Sequence, residues 1–145
     1  MRCIDRWSFA LFVTPLYAGL LALWFLVLSW RVIQRRGKGT YLGDGGDQGL
    51  LRVIRGHANF AEYVPLALLM MGFLEVSRFS IYVLHALGIV LLIARLLHGY
   101  ALSFTEHSSF GRFWGASLTF IVLAIEAVLC IYQGIQGQWI WCCAR

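Results

Sequence analysis

Charged residues are scarce in this chain. Asp, Glu, Lys and Arg make up 13% of its 145 residues, and 60% of the residues are apolar. A soluble domain usually has about 25% charged residues. A chain this apolar has too few polar side chains to cover a surface that faces water. We therefore exclude a soluble domain and predict an integral membrane protein.

Cysteine is also rare, and its spacing excludes the usual metal sites. The four cysteines are Cys3, Cys130, Cys142 and Cys143, and no two of them form a C-x-x-C pair. Structural zinc sites normally need such paired ligands. We therefore expect no metal and treat the four thiols as incidental, although Cys142 and Cys143 near a membrane end are candidates for acylation.

Long apolar runs are what the chain has instead. Four segments have the length of about 20 residues that a helix needs to cross a bilayer. They cover about 7–30, 59–76, 80–104 and 113–135. In lipid the backbone has no water to bond, which favours helices over irregular chain. We predict an all-α, single-domain bundle of four transmembrane helices over residues 1–145, with the first helix retained as an anchor.

The distribution of basic residues predicts the orientation. Six of the twelve lysines and arginines lie between the first and second spans, and Arg112 lies between the third and fourth. Basic loops usually stay in the cytoplasm. We therefore expect both termini outside the cytoplasm. The basic loops that set this topology account for the net charge of +5. The charge therefore does not indicate a nucleic-acid partner, and we expect none.

The second span begins with a polar stripe. Arg52, Arg55, Asn59 and Glu62 are three, four and three residues apart, which places them on one helical face. A charge near the bilayer centre costs at least about 2.5–3.5 kcal/mol on insertion scales. One interpretation is a network that joins helices; the other is a ligand site. Because the stripe is basic at its start and acidic below, we favour a site for a zwitterionic ligand.

Three more polar residues extend this pattern. Arg95 and His98 share one face of the third helix, and Arg112 opens the fourth. Alone, Arg112 would be interpreted as an anchor whose side chain reaches the membrane surface. Together they predict a polar cleft near the cytoplasmic face, with Glu62 as the partner of Arg95. Four thin helices enclose little space, so we expect the cleft between subunits.

The stretch RVIRGHANFAEYVP, residues 52–65, contains R-x-x-R-x-H-x-N-x-x-E-Y-x-P. This pattern resembles the signature of the MAPEG family, the membrane-associated proteins in eicosanoid and glutathione metabolism. The DGGD stretch before it, ARLLHGY in the third helix and an arginine at the start of the fourth resemble bacterial members. The resemblance covers nearly the whole chain.

The resemblance implies a homotrimer in the bacterial inner membrane. Glutathione would bind as co-substrate between subunits at the cytoplasmic side, and a hydrophobic second substrate would enter from the lipid bilayer. Arg112 would be the catalytic residue that activates the thiol. On helix one, Arg31 and Arg35 compete for one position. The expected glutathione-binding residues are Arg31, Arg55, Asn59, Glu62, Tyr63, Arg95 and His98.

The implied activity is a glutathione transferase or peroxidase that detoxifies hydrophobic electrophiles. Two family tyrosines are missing, however: Leu102 and Ala116 occupy their positions, and Tyr100 lies two residues from the first. These departures support an alternative, a non-catalytic trimer that binds glutathione or a lipid. A transporter or channel is a weaker alternative, since Pro15 and Pro65 lie near helix ends and do not break a helix at its middle.

Overall fold

The protein is a bundle of four long helices. The computed structural model describes residues 11–37, 43–105 and 109–143, with side chains described from 110 to 138 in the last range. These residues form α1 (Val13–Arg36), α2 (Gln48–Val76), α3 (Ile81–Ser103) and α4 (Ser109–Cys143), and no strand occurs among them. The predicted all-α fold is therefore confirmed.

Short connections make neighbouring helices antiparallel. α1 and α4 each contact both α2 and α3, so the middle two helices form the centre of the bundle. α1 and α3 end on the side where α2 and α4 begin. This side, the arginine-rich end, carries Arg31, Arg35, Arg52, Arg55 and Arg112.

Each helix contains a stretch that is long and apolar enough to cross a membrane. α2 begins at Gln48, earlier than the apolar run that starts near 59. It can begin there because Gly45 and Gly46 take positive φ angles of 58° and 81° in the preceding turn. Asp47 then caps the helix by accepting a hydrogen bond of 2.7 Å from the backbone N–H of Gly49. The basic segment that carries the signature is therefore helical as well.

At the opposite end, Glu75 joins α2 to the start of α1. Its carboxylate accepts hydrogen bonds from the backbone N–H groups of Val13 at 2.7 Å and Thr14 at 2.8 Å. The first turn of a helix has N–H groups without partners and a positive dipole end. The Glu75 carboxylate accepts from these N–H groups, and its negative charge interacts favourably with the positive end of the dipole. These two contacts explain an acidic residue at the end of an apolar helix.

The core is small and the outer surface is apolar. One buried cluster combines Leu21, Phe60, Leu91 and Val122, one residue from each helix. Large apolar side chains also point outward; Leu23 and Val128, for example, are 64% and 65% exposed. A surface of this kind suits lipid or another membrane helix rather than water.

Glu126 is an exception within this bundle. It is fully buried in α4, and neither of its carboxyl oxygens has a hydrogen-bond partner among the described residues. A buried polar group without a partner destabilises the folded state, whether it is charged or neutral. Helix packing therefore does not explain why a carboxyl group occupies this position.

Replacing Glu126 should stabilise the protein. We expect Glu126→Met to increase the free energy of unfolding by about 1–3 kcal/mol, the usual cost of a buried unsatisfied group. Thermal unfolding in detergent measures this as a higher midpoint. Arg95→Met should lower the midpoint, because it removes a guanidinium whose two terminal nitrogens donate three hydrogen bonds to other helices. A lower midpoint for Glu126→Met would show that the carboxyl has a stabilising partner.

Candidate functional site

A cavity of about 380 Å³ opens at the arginine-rich end. Binding sites for small molecules usually measure about 300–1,000 Å³. Helices α2, α3 and α4 all contribute to its wall. The wall consists of Arg55, Ala58, Asn59, Glu62, His98, Leu102 and Arg112.

Helical spacing brings these side chains together. Arg55, Asn59 and Glu62 follow one another by four and three residues on α2, and His98 and Leu102 are four apart on α3. Arg112 lies in the first turn of α4. The predicted convergence on one polar cleft therefore occurs within a single chain.

Gly115 allows α4 to lie close to α3. A Cβ atom at this position would be 2.6 Å from Cβ of His98 and 2.7 Å from the carbonyl oxygen of Ala94. Both distances are shorter than van der Waals contact, so no larger residue fits without moving a helix. Arg112, one turn before Gly115, thereby comes close to His98.

Arg95 lies beneath the cavity and is 2% exposed. Its guanidinium donates to Oδ1 of Asn59 and to the carbonyl oxygen of Gly115, both at 3.0 Å, and to the hydroxyl of Thr119. The expected pairing with Glu62 is wrong. Asn59, one turn nearer the arginine-rich end, is the partner on α2, because it lies level with the guanidinium.

This contact fixes the orientation of Asn59. Its Oδ1 accepts from Arg95, so its two amide N–H donors remain for other partners. Asn59 also lines the cavity. The amide can therefore donate hydrogen bonds to an acceptor inside the cavity, because Arg95 holds its oxygen on the other side.

The charged groups of the wall have no partner within the described part of the chain. The side chains of Arg55, Glu62 and Arg112 form no hydrogen bond or ion pair with another described residue. Two positive groups, one negative group and an amide donor thus face one space. A network that only joined helices would use these groups on one another, so the arrangement favours a charged ligand.

His98 connects the cavity to the start of α4. Its Nδ1 lies 3.1 Å from the carbonyl oxygen of Arg112. Because a carbonyl oxygen only accepts, Nδ1 carries the hydrogen and donates it. The bond fixes the ring against the backbone of Arg112, the second arginine of the cavity wall.

Comparisons with known proteins agree with this architecture. The model of the MAPEG family matches residues 14–132. The chain belongs to the MAPEG family. It is 40% identical over 89 residues to the inner membrane protein YecN of Escherichia coli K12, and equally to that of Escherichia coli O6:H1. Each alignment covers 61% of this chain and 68% of the relative.

Three residues that the MAPEG resemblance assigned to glutathione lie outside the cavity wall. Arg95 is buried beneath it. Tyr63 packs edge-on against Phe120, with ring centroids 5.4 Å apart. Arg31 donates to the carbonyl oxygen of Ser103 at 3.0 Å and lies 4.5 Å from the centre of the Phe104 ring. In this chain Arg31 therefore caps the end of α3.

Arg35 lies beside a neighbouring cleft of about 30 Å³. Its guanidinium approaches Gly49 at the start of α2, and Leu102 lines both this cleft and the larger cavity. Arg31 and Arg35 are the two candidates for the helix-one arginine that the MAPEG resemblance implies. Of these two, Arg35 is the one that lines a cleft next to the cavity.

The role of Thr119 was not predicted from the sequence. Thr119 is fully buried, accepts from Arg95 and donates to the carbonyl oxygen of Gly115 at 2.8 Å. A hydroxyl in the middle of an apolar helix was the available signal. Its position, seven residues after Arg112, places it on the same helical face.

Gly115→Ala should separate α3 from α4. We expect a lower thermal midpoint and weaker binding of any ligand that contacts both His98 and Arg112, because the new methyl group occupies the space of His98. Gly134→Ala on the same helix is the control, since nothing lies within 4 Å of a Cβ there. Equal effects of the two substitutions would contradict the close packing at Gly115.

Proposed function

We propose that the protein is a glutathione-dependent transferase or peroxidase that acts on hydrophobic electrophiles in the membrane. The observation that carries this proposal is the cavity lined by Arg55, Asn59, Glu62 and Arg112. Membership of the MAPEG family supports glutathione as the co-substrate. Fold alone would not support an activity. The support for this activity therefore comes from the chemistry of the residues that line the cavity.

Glutathione has the charges that this wall requires. It carries two carboxylates, one ammonium group, two amides and a thiol. Arg55 suits a carboxylate because a guanidinium donates two parallel hydrogen bonds. Glu62 suits the ammonium group, and the free amide donors of Asn59 suit a peptide carbonyl. These contacts would leave Arg112 for the thiol.

The reaction needs a thiolate. A free thiol has a pKa of about 8.5 and is only a few per cent ionised at neutral pH. A guanidinium nearby stabilises the anion and so lowers this pKa. The thiolate then attacks an electrophilic carbon and displaces a leaving group. In a peroxidase reaction it attacks a hydroperoxide oxygen, which breaks the O–O bond, forms the sulfenic acid of glutathione and, with a proton, releases an alcohol. A second glutathione then forms the disulfide and releases water.

The membrane supplies the second substrate in this proposal. A hydrophobic electrophile dissolves in the bilayer and reaches the site through the apolar outer surface. The name of the YecN relatives supports an inner-membrane location, and we propose a homotrimer with both termini outside the cytoplasm. Helices of neighbouring subunits would then close the open side of the cavity and could bring Tyr63 or Arg35 to the ligand.

Removing Arg112 should abolish thiolate formation. With purified protein in detergent at neutral pH, added glutathione should produce the ultraviolet absorbance of a thiolate in proportion to the number of sites. Arg112→Ala should lose this signal because no cation remains beside the sulfur, while part of the binding seen by calorimetry remains.

Arg78→Ala is the control for the Arg112 experiment, since Arg78 follows α2 at the opposite end of the bundle. It should leave the absorbance unchanged. A thiolate signal that survives in Arg112→Ala at full size would show that another group activates the sulfur.

A second candidate function is binding without turnover. Leu102 favours it, because this side chain lines the cavity where related enzymes have a tyrosine. A leucine cannot donate a hydrogen bond to sulfur or to the electrophile. Tyr100, which is 56% exposed and stacks on Phe104, does not replace it. The protein would then bind glutathione or a lipid.

Leu102→Tyr distinguishes the two functions. If the missing hydroxyl limits turnover, the variant should conjugate glutathione to a chloronitroarene about tenfold faster or more, since a hydrogen bond to a charged group contributes about 1.5–3 kcal/mol. Leu102→Phe adds the same ring without the hydroxyl and is the control. Equal rates in wild type and both variants would show that this position does not limit catalysis.

A further inference from the structure

The thiol proton needs an acceptor in this site. Arg112 can stabilise a thiolate but cannot take the proton, because a guanidinium stays protonated. Of the remaining titratable groups in the cavity wall, Glu62 is on α2 and His98 is on α3. His98 is the one that is hydrogen-bonded to the backbone of Arg112 itself, at 3.1 Å.

The hydrogen bonds of His98 determine which ring nitrogen is available. Nδ1 donates to the carbonyl oxygen of Arg112. In a neutral imidazole the other nitrogen, Nε2, then has a free lone pair. No described residue bonds to Nε2, and the ring lines the cavity although it is only 8% exposed. An acceptor nitrogen thus borders the space next to Arg112.

The charges around the ring favour this use of His98. Arg95 lies three residues before it on α3, Arg55 and Arg112 line the same cavity from α2 and α4, and Glu62 is the one acidic group among the described wall residues. Before a thiolate forms, these three cations oppose a further positive charge on the imidazole of His98. A thiolate adds the negative charge that allows the imidazole to become cationic.

We infer that His98 is the base that takes the proton of the glutathione thiol, an inference that rests on the proposed function. The S–H bond breaks, its electron pair stays on sulfur beside Arg112, and the proton moves to Nε2. The imidazolium keeps Nδ1–H on the carbonyl oxygen of Arg112. After the thiolate displaces the leaving group of the electrophile, the imidazolium releases its proton to water.

This step makes a prediction about proton release. If His98 keeps the proton, thiolate formation in the wild type releases far less than one proton to the buffer for each thiolate. The thiolate is measured by ultraviolet absorbance, and the released protons are measured with a pH indicator in weak buffer. A wild-type ratio near one would overturn the inference without any variant, whereas a low ratio needs a His98 variant to distinguish His98 from Glu62 as the acceptor.

Two variants separate the base from its positioning bond. An Asn side chain can keep an N–H donor near the position of Nδ1 but lacks Nε2, so His98→Asn should retain glutathione binding and release about one proton per thiolate. The thiolate absorbance of this variant should also fall more steeply than that of the wild type as the pH decreases, because its thiol proton must be released to the solvent. His98→Gln places its amide farther out, near the position of Nε2, and should weaken the bond to Arg112. Thermal midpoints show whether each variant is folded.

The outcomes are distinguishable. A wild type that forms thiolate and releases about one proton for each would overturn the role of His98 and leave the proposed function intact. A His98→Asn variant with the wild-type ratio would overturn it as well. A wild type that binds no glutathione, or binds it without any thiolate, would overturn the transferase or peroxidase proposal, and the role of His98 would fall with it.

Discussion

The hydrogen bonds of Arg95 hold this bundle together at the site. A guanidinium buried among apolar helices is costly unless its N–H groups find acceptors. The two terminal nitrogens of Arg95 find them on α2 at Asn59 and on α4 at Gly115 and Thr119. Its own backbone carbonyl also accepts from the indole N–H of Trp24 on α1, at 3.2 Å. One residue of α3 therefore contacts all three other helices.

The function that we propose depends on this constraint. Because Arg95 occupies Oδ1 of Asn59, the amide donors remain for a ligand, and because it binds Gly115 and Thr119, α4 is held where Arg112 borders the cavity. If glutathione binds here as we propose, Arg95 need not touch it to affect its binding. The residues that would touch the ligand, Arg55, Glu62 and Arg112, have side chains without a partner among the described residues.

The sequence predicted the helices and the polar face well, for physical reasons. Apolar length determines a membrane span, and spacings of three and four place residues on one helical face, so Arg55, Asn59 and Glu62 converge as expected. Contacts between helices depend on relative height and rotation, which one sequence does not contain. Arg95 therefore binds Asn59 instead of Glu62, and Arg31 caps α3 at Ser103. The close approach at Gly115 was likewise not predictable, since glycine also occurs in loose positions such as Gly134.

If this cavity binds glutathione as we propose, calorimetry of the purified protein with glutathione should detect it. We expect saturable binding in the wild type, and its loss when Arg55 and Glu62 are both replaced by Ala in a variant that keeps its thermal midpoint. Absence of binding in the wild type, or undiminished binding in the double variant, would contradict it.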